Sequence, residues 1–365
     1  MSGKYKRVTV KIGSNVLTRP DGALDVTRMS AIVDQIVELR ANGIEVIIVS
    51  SGAVAGGCGE LKDIKLKKLD SVERRQLFSA VGQAKLVNRY YELFREHHIH
   101  IGQVLTMKEN FSTRRHYLNQ RSCMTALLKN GIVPIVNEND TISVTELMFT
   151  DNDELSSLIA AMTNSQALII LSNVDGIYNG PPGSPDTKLI NKVNAGEDLS
   201  QYIQAQKSDF GRGGMLTKSR IAQKTADEGI EVIIANGRRN GILTSLLLHH
   251  EETPCTRFIP RKEQVSGIKK WAAHCEDFAK GKVFLNQKAV DIICGEHAVS
   301  ILPVGVTRIE GNFEKGDLVH IMSPDGKTLG VGRAAYGNAE AAPLLGKHDC
   351  KPIVHYDYLY LGDAE

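Results

Sequence analysis

A repeated alternation constrains this chain most. Strand-like runs at residues 5–12, 44–49, 99–105, 132–136, 167–171 and 230–235 are separated by segments with helical spacing. The run at 44–49 is nearly all apolar, which marks a strand covered on both faces. Asp25 is placed to cap a helix reaching about residue 41, with Met29, Ile32, Val33, Ile36 and Val37 on one face and Gly43 as its stop. Further helical patterns fall near 71–97, 114–129, 151–162 and 219–229. Buried strands alternating with helices predict an α/β fold, a mostly parallel sheet sandwiched by helices.

Sheets of this kind bind ligands off the carboxyl ends of their strands. The polar and glycine clusters collect there: Lys11-Ile12-Gly13-Ser14-Asn15, Ser50-Ser51-Gly52-Ala53, Asn137-Glu138-Asn139-Asp140 and Ser172-Asn173-Val174-Asp175. Two more clusters lead into helices, Asp151-Asn152-Asp153-Glu154 and the stretch from Asp209 to Lys218. In the second, glycines expose backbone N–H groups and Lys218 follows just before a helix expected from about Ser219, a seat suited to a polyphosphate. An isolated tight turn has the same residues. Neither common nucleotide fingerprint fits, because Thr217 precedes the lysine and Leu216 stands where a third glycine belongs.

After about residue 280 the pattern changes. Short strand-like runs at 283–285, 318–322 and 330–334 alternate with Gly and Pro turns, which predicts a small β-rich second domain. We place the domains at 1–279 and 280–358. A net charge of +2 over 365 residues offers no broad attraction to nucleic acid or to a membrane surface. No apolar run approaches the roughly 20 residues of a membrane helix. Residues 1–10 lack the apolar core of a signal peptide, and six cysteines without paired spacing suit reduced thiols, so a cytoplasmic location is expected. The same cysteine pattern argues against a zinc site, and no protein-held metal is expected.

Phosphoryl transfer asks a protein for positive charge on the moving phosphate, amides to cradle it and a positioned acceptor. Lys11 and Lys218 supply charge, while Gly13, Ser51, Gly52, Gly213 and Gly214 supply amides. Asp151 and Asp153 can orient those lysines or hold water around Mg²⁺, and plain helix capping explains them equally well. Asn137, Asp140 and Asn152 suit the ammonium and carboxylate of an amino acid; an ordinary turn is the alternative for 137–140.

These clusters, in this order, resemble the amino-acid kinase family, and within it the members that phosphorylate the γ-carboxylate of free glutamate. Residues 304–321, with Gly311-Asn312-Phe313 and Lys315-Gly316-Asp317, resemble a PUA domain. The resemblance implies catalytic roles for Lys11, Lys218 and Asp153. It implies ATP over Lys11, Gly13, Ser172, Asn173 and the loop Arg212, Gly213, Gly214, Met215, Leu216, Thr217 and Lys218. Glutamate would be held by Ser51, Asn137, Asp140, Asp151 and Asn152. Mg²⁺, feedback inhibition by proline and a homo-oligomer are also implied. The chain departs from the family at Arg212, at Ser172-Asn173 and at Asn15, all on the nucleotide side.

Two rivals differ in class or acceptor. A PUA domain suggests an RNA-binding protein, but eight Lys and Arg between residues 282 and 351 are balanced by acidic residues, without the positive footprint of a nucleic-acid binder. A kinase for another acylated or free amino acid keeps the fold and changes only the acceptor pocket.

Overall fold

The computed structural model describes residues 4–111, 114–142, 152–180, 187–194, 197, 199, 214–249, 253–261, 279–294, 299–348 and 350–361. The chain divides into two compact units, residues 1–108 with 122–264, and 109–121 with 265–365.

The first unit is built on strands β1 (Arg7–Ile12), β2 (Glu45–Ser50), β3 (Ile101–Thr106), β4 (Val133–Glu138), β5 (Ala167–Ser172), β6 (Lys192–Val193), β7 (Glu231–Asn236) and β8 (Cys255–Phe258). Their order in the sheet is β3-β4-β2-β1-β5-β7-β8-β6. All neighbouring pairs are parallel except β7 with β8, which is antiparallel. Every residue of β4 and β5 is buried, as expected for strands covered on both faces. One face carries a core that includes Val10, Ile12, Met29, Ile36, Ile48 and Phe94; the other includes Leu168, Ile170, Ala222, Val232 and Phe258.

The helices used below are α1 (Ser14–Leu17), α2 (Val26–Ala41), α3 (Ala53–Glu60), α4 (Ser71–Arg95), α5 (Arg114–Lys129), α6 (Asn152–Thr163) and α7 (Met215–Asp227). The Asp25 side chain caps α2 by accepting from Arg28 N at 3.0 Å, as its sequence position predicts. Two helices depart from expectation. The stretch 53–60 reads as a glycine-rich turn but folds as α3. Glycine costs about 1 kcal/mol in a helix interior, and here tertiary packing overrides that, because α3 and α4 pack backbone to backbone. A Cβ on Gly57 would sit 1.8 Å from Phe78 O, and one on Gly82 1.8 Å from Ala53 O. Helix α7 starts at Met215, four residues before the expected Ser219, with Gly214 as an extended N-cap.

The second unit carries an antiparallel and parallel mixture of five strands: β9 (Gly281–Leu285), β10 (Val306–Gly311), β11 (Leu318–Met322), β12 (Thr328–Ala334) and β13 (Val354–Leu361). They are ordered β10-β9-β11-β12-β13, with only β9 and β11 parallel. The β-rich character is as expected, although β10 and β13 were not evident in the sequence. This sheet has its own core, including Val283, Leu285, Phe313, Val319, Ile321 and Val354. Among the described residues no helix is long and apolar enough to cross a membrane.

Candidate active site

The parallel register sets one row across the sheet: Val136 on β4 pairs with Val49 on β2, Val49 with Lys11 on β1, Lys11 with Ile170 on β5 and Ile170 with Ile234 on β7. Just beyond that row come Asn137, Ser50, Gly13 and Ser172, with Asn236 paired to Ser172, so the small and polar residues read from the sequence at these strand ends form one continuous edge.

At the centre of this edge is Asp153, in the first turn of α6 and fully buried. Its Oδ1 lies 2.5 Å from Lys11 Nζ and its Oδ2 2.6 Å from Lys218 Nζ. Burial by itself would push this carboxyl up, but the two ammonium groups, first Lys11 and then Lys218, outweigh it and hold the group well below the usual carboxylate range. The location helps, since a carboxylate at a helix N-terminus is favoured by the dipole. Lys218 has the opposite problem. It occupies the first turn of α7, where a cation opposes the dipole, and the bond to Asp153 offsets that. Two cations from different elements are thus fixed side by side, with the Lys11 side chain 6% and the Lys218 side chain 13% exposed.

Gly13 donates its N–H to Leu171 O at 3.0 Å, which pins the turn after β1 against the end of β5. A Cβ at Gly13 would lie 3.1 Å from Leu171 O and 3.7 Å from Lys11 Nζ, so a side chain there would crowd the ammonium. Ser172 is buried, and its Oγ is 3.4 Å from Asn173 Oδ1. Gly214 caps α7, and Met215, Leu216 and Thr217 form the first turn, where backbone N–H groups lack intrahelical acceptors. The Met215 side chain itself packs against the core, so what it can offer a ligand is its amide. Arg212, Gly213 and Asp151 lie outside the described residues. Asn15 contributes a backbone oxygen that accepts from Arg238 Nη2 at 2.8 Å, and Arg239 forms a two-pronged pair with Asp175 at 2.7 and 2.8 Å.

On the other side of Lys11 lies a chain of amides and hydroxyls. Gly52 takes a left-handed φ of 100° and begins α3, which turns the backbone sharply after β2. Asn152 Nδ2 donates to Ser51 Oγ at 2.8 Å and to Asn137 Oδ1 at 3.1 Å; Asn137 Nδ2 donates to Gln83 Oε1 at 2.7 Å. Asp140 is buried and accepts from Arg75, which also lies 3.5 Å from Glu138. Burial pushes the Asp140 carboxyl up, with Arg75 and Ser79 opposing.

The edge therefore has a cationic end at β1 and α7 and an amide-rich end at β2 and β4. The model of the amino acid kinase family matches residues 6–236, which contain both ends. The chain belongs to the amino acid kinase family. A PUA domain matches residues 281–356, the stretch of the second sheet. Relatives align over almost all of this kinase. "Glutamate 5-kinase" from Bacteroides thetaiotaomicron is 64% identical, covering 99% of this chain and 100% of the relative. Proteins of the same name from Chlorobaculum tepidum and Pelobacter propionicus are 46% and 35% identical, covering 98% and 99% of this chain and 98% and 95% of theirs.

The same edge also gathers residues that the sequence did not single out. Arg75, Gln76, Ser79 and Gln83 all come from α4; Gln76 Nε2 donates to Thr141 O at 2.9 Å. A signal was present. The buried face of α4 runs Ser79, Gly82, Gln83, Leu86, Tyr90, Phe94, polar in its first half where a core helix is apolar.

Proposed function

We propose that this chain transfers the γ-phosphoryl group of ATP to the γ-carboxylate of L-glutamate, giving L-glutamyl 5-phosphate and ADP, the step that opens proline synthesis from glutamate. The observation that carries the reading is the buried Asp153 holding Lys11 and Lys218 together at the edge where a parallel sheet binds ligands. The names of the full-length relatives support the acceptor.

A carboxylate oxygen of glutamate forms the new bond to Pγ as the bond from Pγ to the β,γ-bridging oxygen breaks, and that oxygen leaves on ADP. The nucleophile is already ionised, so no general base is required. Lys11 and Lys218 neutralise charge on the transferring group and the leaving oxygen; fixed in advance by Asp153, they need no rearrangement as the charge develops. The turn at Gly13, the buried Ser172 with Asn173, and the first-turn amides of α7 with the loop from Arg212 are assigned to the nucleotide. Ser51, Asn137, Asp140, Asp151 and Asn152 are assigned to glutamate.

Among the described residues no group of three or more His, Cys, Asp or Glu could hold a metal ion, and both Asp153 oxygens are engaged by lysines. Mg²⁺ would come as a companion of the ATP phosphates and neutralise part of their charge. Inhibition by proline, homo-oligomerisation, a cytoplasmic location and a catalytic domain ending near residue 279 complete the proposal.

The decisive experiment measures ADP release from ATP and Mg²⁺ with glutamate, N-acetylglutamate or aspartate, and traps product with hydroxylamine. Glutamate-dependent release with hydroxamate formation is expected. Turnover of N-acetylglutamate in preference to glutamate would overturn the acceptor assignment.

A further inference from the structure

Gln83 lies on α4, 8% exposed, beside Gly82, whose close approach to Ala53 O brings this part of the helix against the turn after β2. The orientation of its amide follows from a backbone atom. Asn152 Nδ2 is 3.4 Å from Ser50 O, which can only accept, so the nitrogen of Asn152 faces β2. That same nitrogen donates to Asn137 Oδ1, which turns Asn137 Nδ2 toward Gln83 Oε1. The end of Gln83 left over is Nε2, a buried donor with no hydrogen-bond partner among the described residues. Buried amide nitrogens are nearly always paired, and one left open in a ligand site is suited to an acceptor that arrives with the ligand.

We propose that Gln83 Nε2 donates to the α-carboxylate of the amino-acid acceptor and makes Gln83 a specificity-determining residue. This rests on the glutamate reading above. Placement favours the α end over the reacting end. The lysine pair sits at β1 and α7, whereas Gln83 is tied to Asn137 on β4, and β2 stands between those strands. Strands lie about 4.8 Å apart, so two spacings, about 10 Å, separate the centres, a span that an extended five-carbon amino diacid covers with a hydrogen bond at each end. The Asp140 carboxylate is matched to the ammonium of the same substrate, which leaves Ser51 Oγ and Gln83 Nε2 as donors for its α-carboxylate.

The test exchanges the donor and keeps the acceptor. Gln83→Glu retains an oxygen for Asn137 and replaces the N–H₂ by a second oxygen. It should raise the KM for glutamate about ten- to a hundredfold, the scale of a lost hydrogen bond to a charged group, and leave the KM for ATP within about threefold. The α-amide of glutamate brings its own N–H donor. The ratio of kcat/KM for glutamate to that for the α-amide should therefore fall by about tenfold or more in the variant. A folded variant with the ratio unchanged overturns the proposal. If Gln83→Glu does not fold, Gln83→Met, similar in length and without a donor, is measured instead; a glutamate KM equal to that of the unsubstituted chain overturns the proposal. Absence of glutamate turnover in the unsubstituted chain would defeat the acceptor reading itself, and the proposal with it, whereas normal turnover with an unchanged ratio defeats only the role of Gln83.

Discussion

At the scale of single residues, Asp153 and Asp140 are both buried carboxylates, and their neighbours drive them in opposite directions. Two lysines keep Asp153 ionised despite full burial, so it serves as a fixed anion that aligns cations. Lys218→Ala removes one of those cations, and kcat should fall about a hundredfold or more, the scale for losing one preorganised charge-stabilising group. Steady-state kinetics decides it: if kcat stays within a few-fold and only the KM for ATP rises, Lys218 is a binding contact. Asp140 behaves otherwise, because its burial outweighs Arg75 and its pKa is raised. A carboxyl with a raised pKa takes up its proton at a higher pH than an exposed aspartate does, so its hold on an ammonium fails early on acidification. The glutamate KM should rise on acidification, starting at a higher pH than the titration of an exposed aspartate would give, and should be high and nearly flat in Asp140→Asn. A flat profile in the unsubstituted chain would mean that the ammonium is read elsewhere. Lys11, Asn137 and Asp140 were legible in the sequence because they end or closely follow apolar strands, and Lys218 and Asp153 because they stand in glycine-rich or acidic clusters that lead into helices. Gln83 and Arg75 were not, because a polar residue on a long amphipathic helix looks solvated until the neighbouring strand end is known to lie against it.

The elements carry a different lesson, about backbones that approach too closely for any side chain. Helix α3 escaped notice because Gly56, Gly57 and Gly59 favour a turn on propensity, and the contact that makes it a helix comes from α4, some twenty residues further on. Strands β1, β2, β4, β5 and β7 could be read to within about two residues, since continuous apolar runs bounded by small residues have few other uses. The sequence starts α7 too late, at about Ser219, because the glycine-rich stretch reads as a turn through Lys218, whereas Gly214 already caps the helix. The α3–α4 contact makes a prediction. In Gly82→Ala the new Cβ would overlap Ala53 O, and backbone must shift to relieve it. Stability should drop by about 1–3 kcal/mol, the usual range for forced overpacking, read from urea unfolding. The shift would also displace the turn at Ser51, Gly52 and Ala53, so the glutamate KM should rise in the same variant. An unchanged unfolding midpoint would mean that the two helices part without cost.

For the whole molecule, the arrangement of cores suggests how far the catalytic unit can stand alone. Every described residue assigned to ATP or glutamate lies before Ser219, and the last strand of the first sheet, β8, ends at Phe258. The second sheet closes on its own core, and Lys280 N already donates to Leu318 O within it at 2.9 Å. A cut after residue 279 therefore severs neither sheet. The truncated chain should fold and release ADP in a glutamate-dependent manner, with kcat within a few-fold of the full chain. Residues 109–121, which group with the second unit, remain in the truncated chain without the rest of that unit, so solubility is the property most exposed to change. Light scattering would follow the assembly state and a proline titration the inhibition, since either can depend on the missing part even where chemistry does not. A folded truncation that binds ATP but does not turn over glutamate would show that the second unit is needed to complete the catalytic state. The isolated second unit, titrated with RNA at moderate salt, addresses the remaining function a PUA domain suggests. Its balanced charge predicts no tight binding, and a steep salt dependence with tight association would assign it a separate nucleic-acid role.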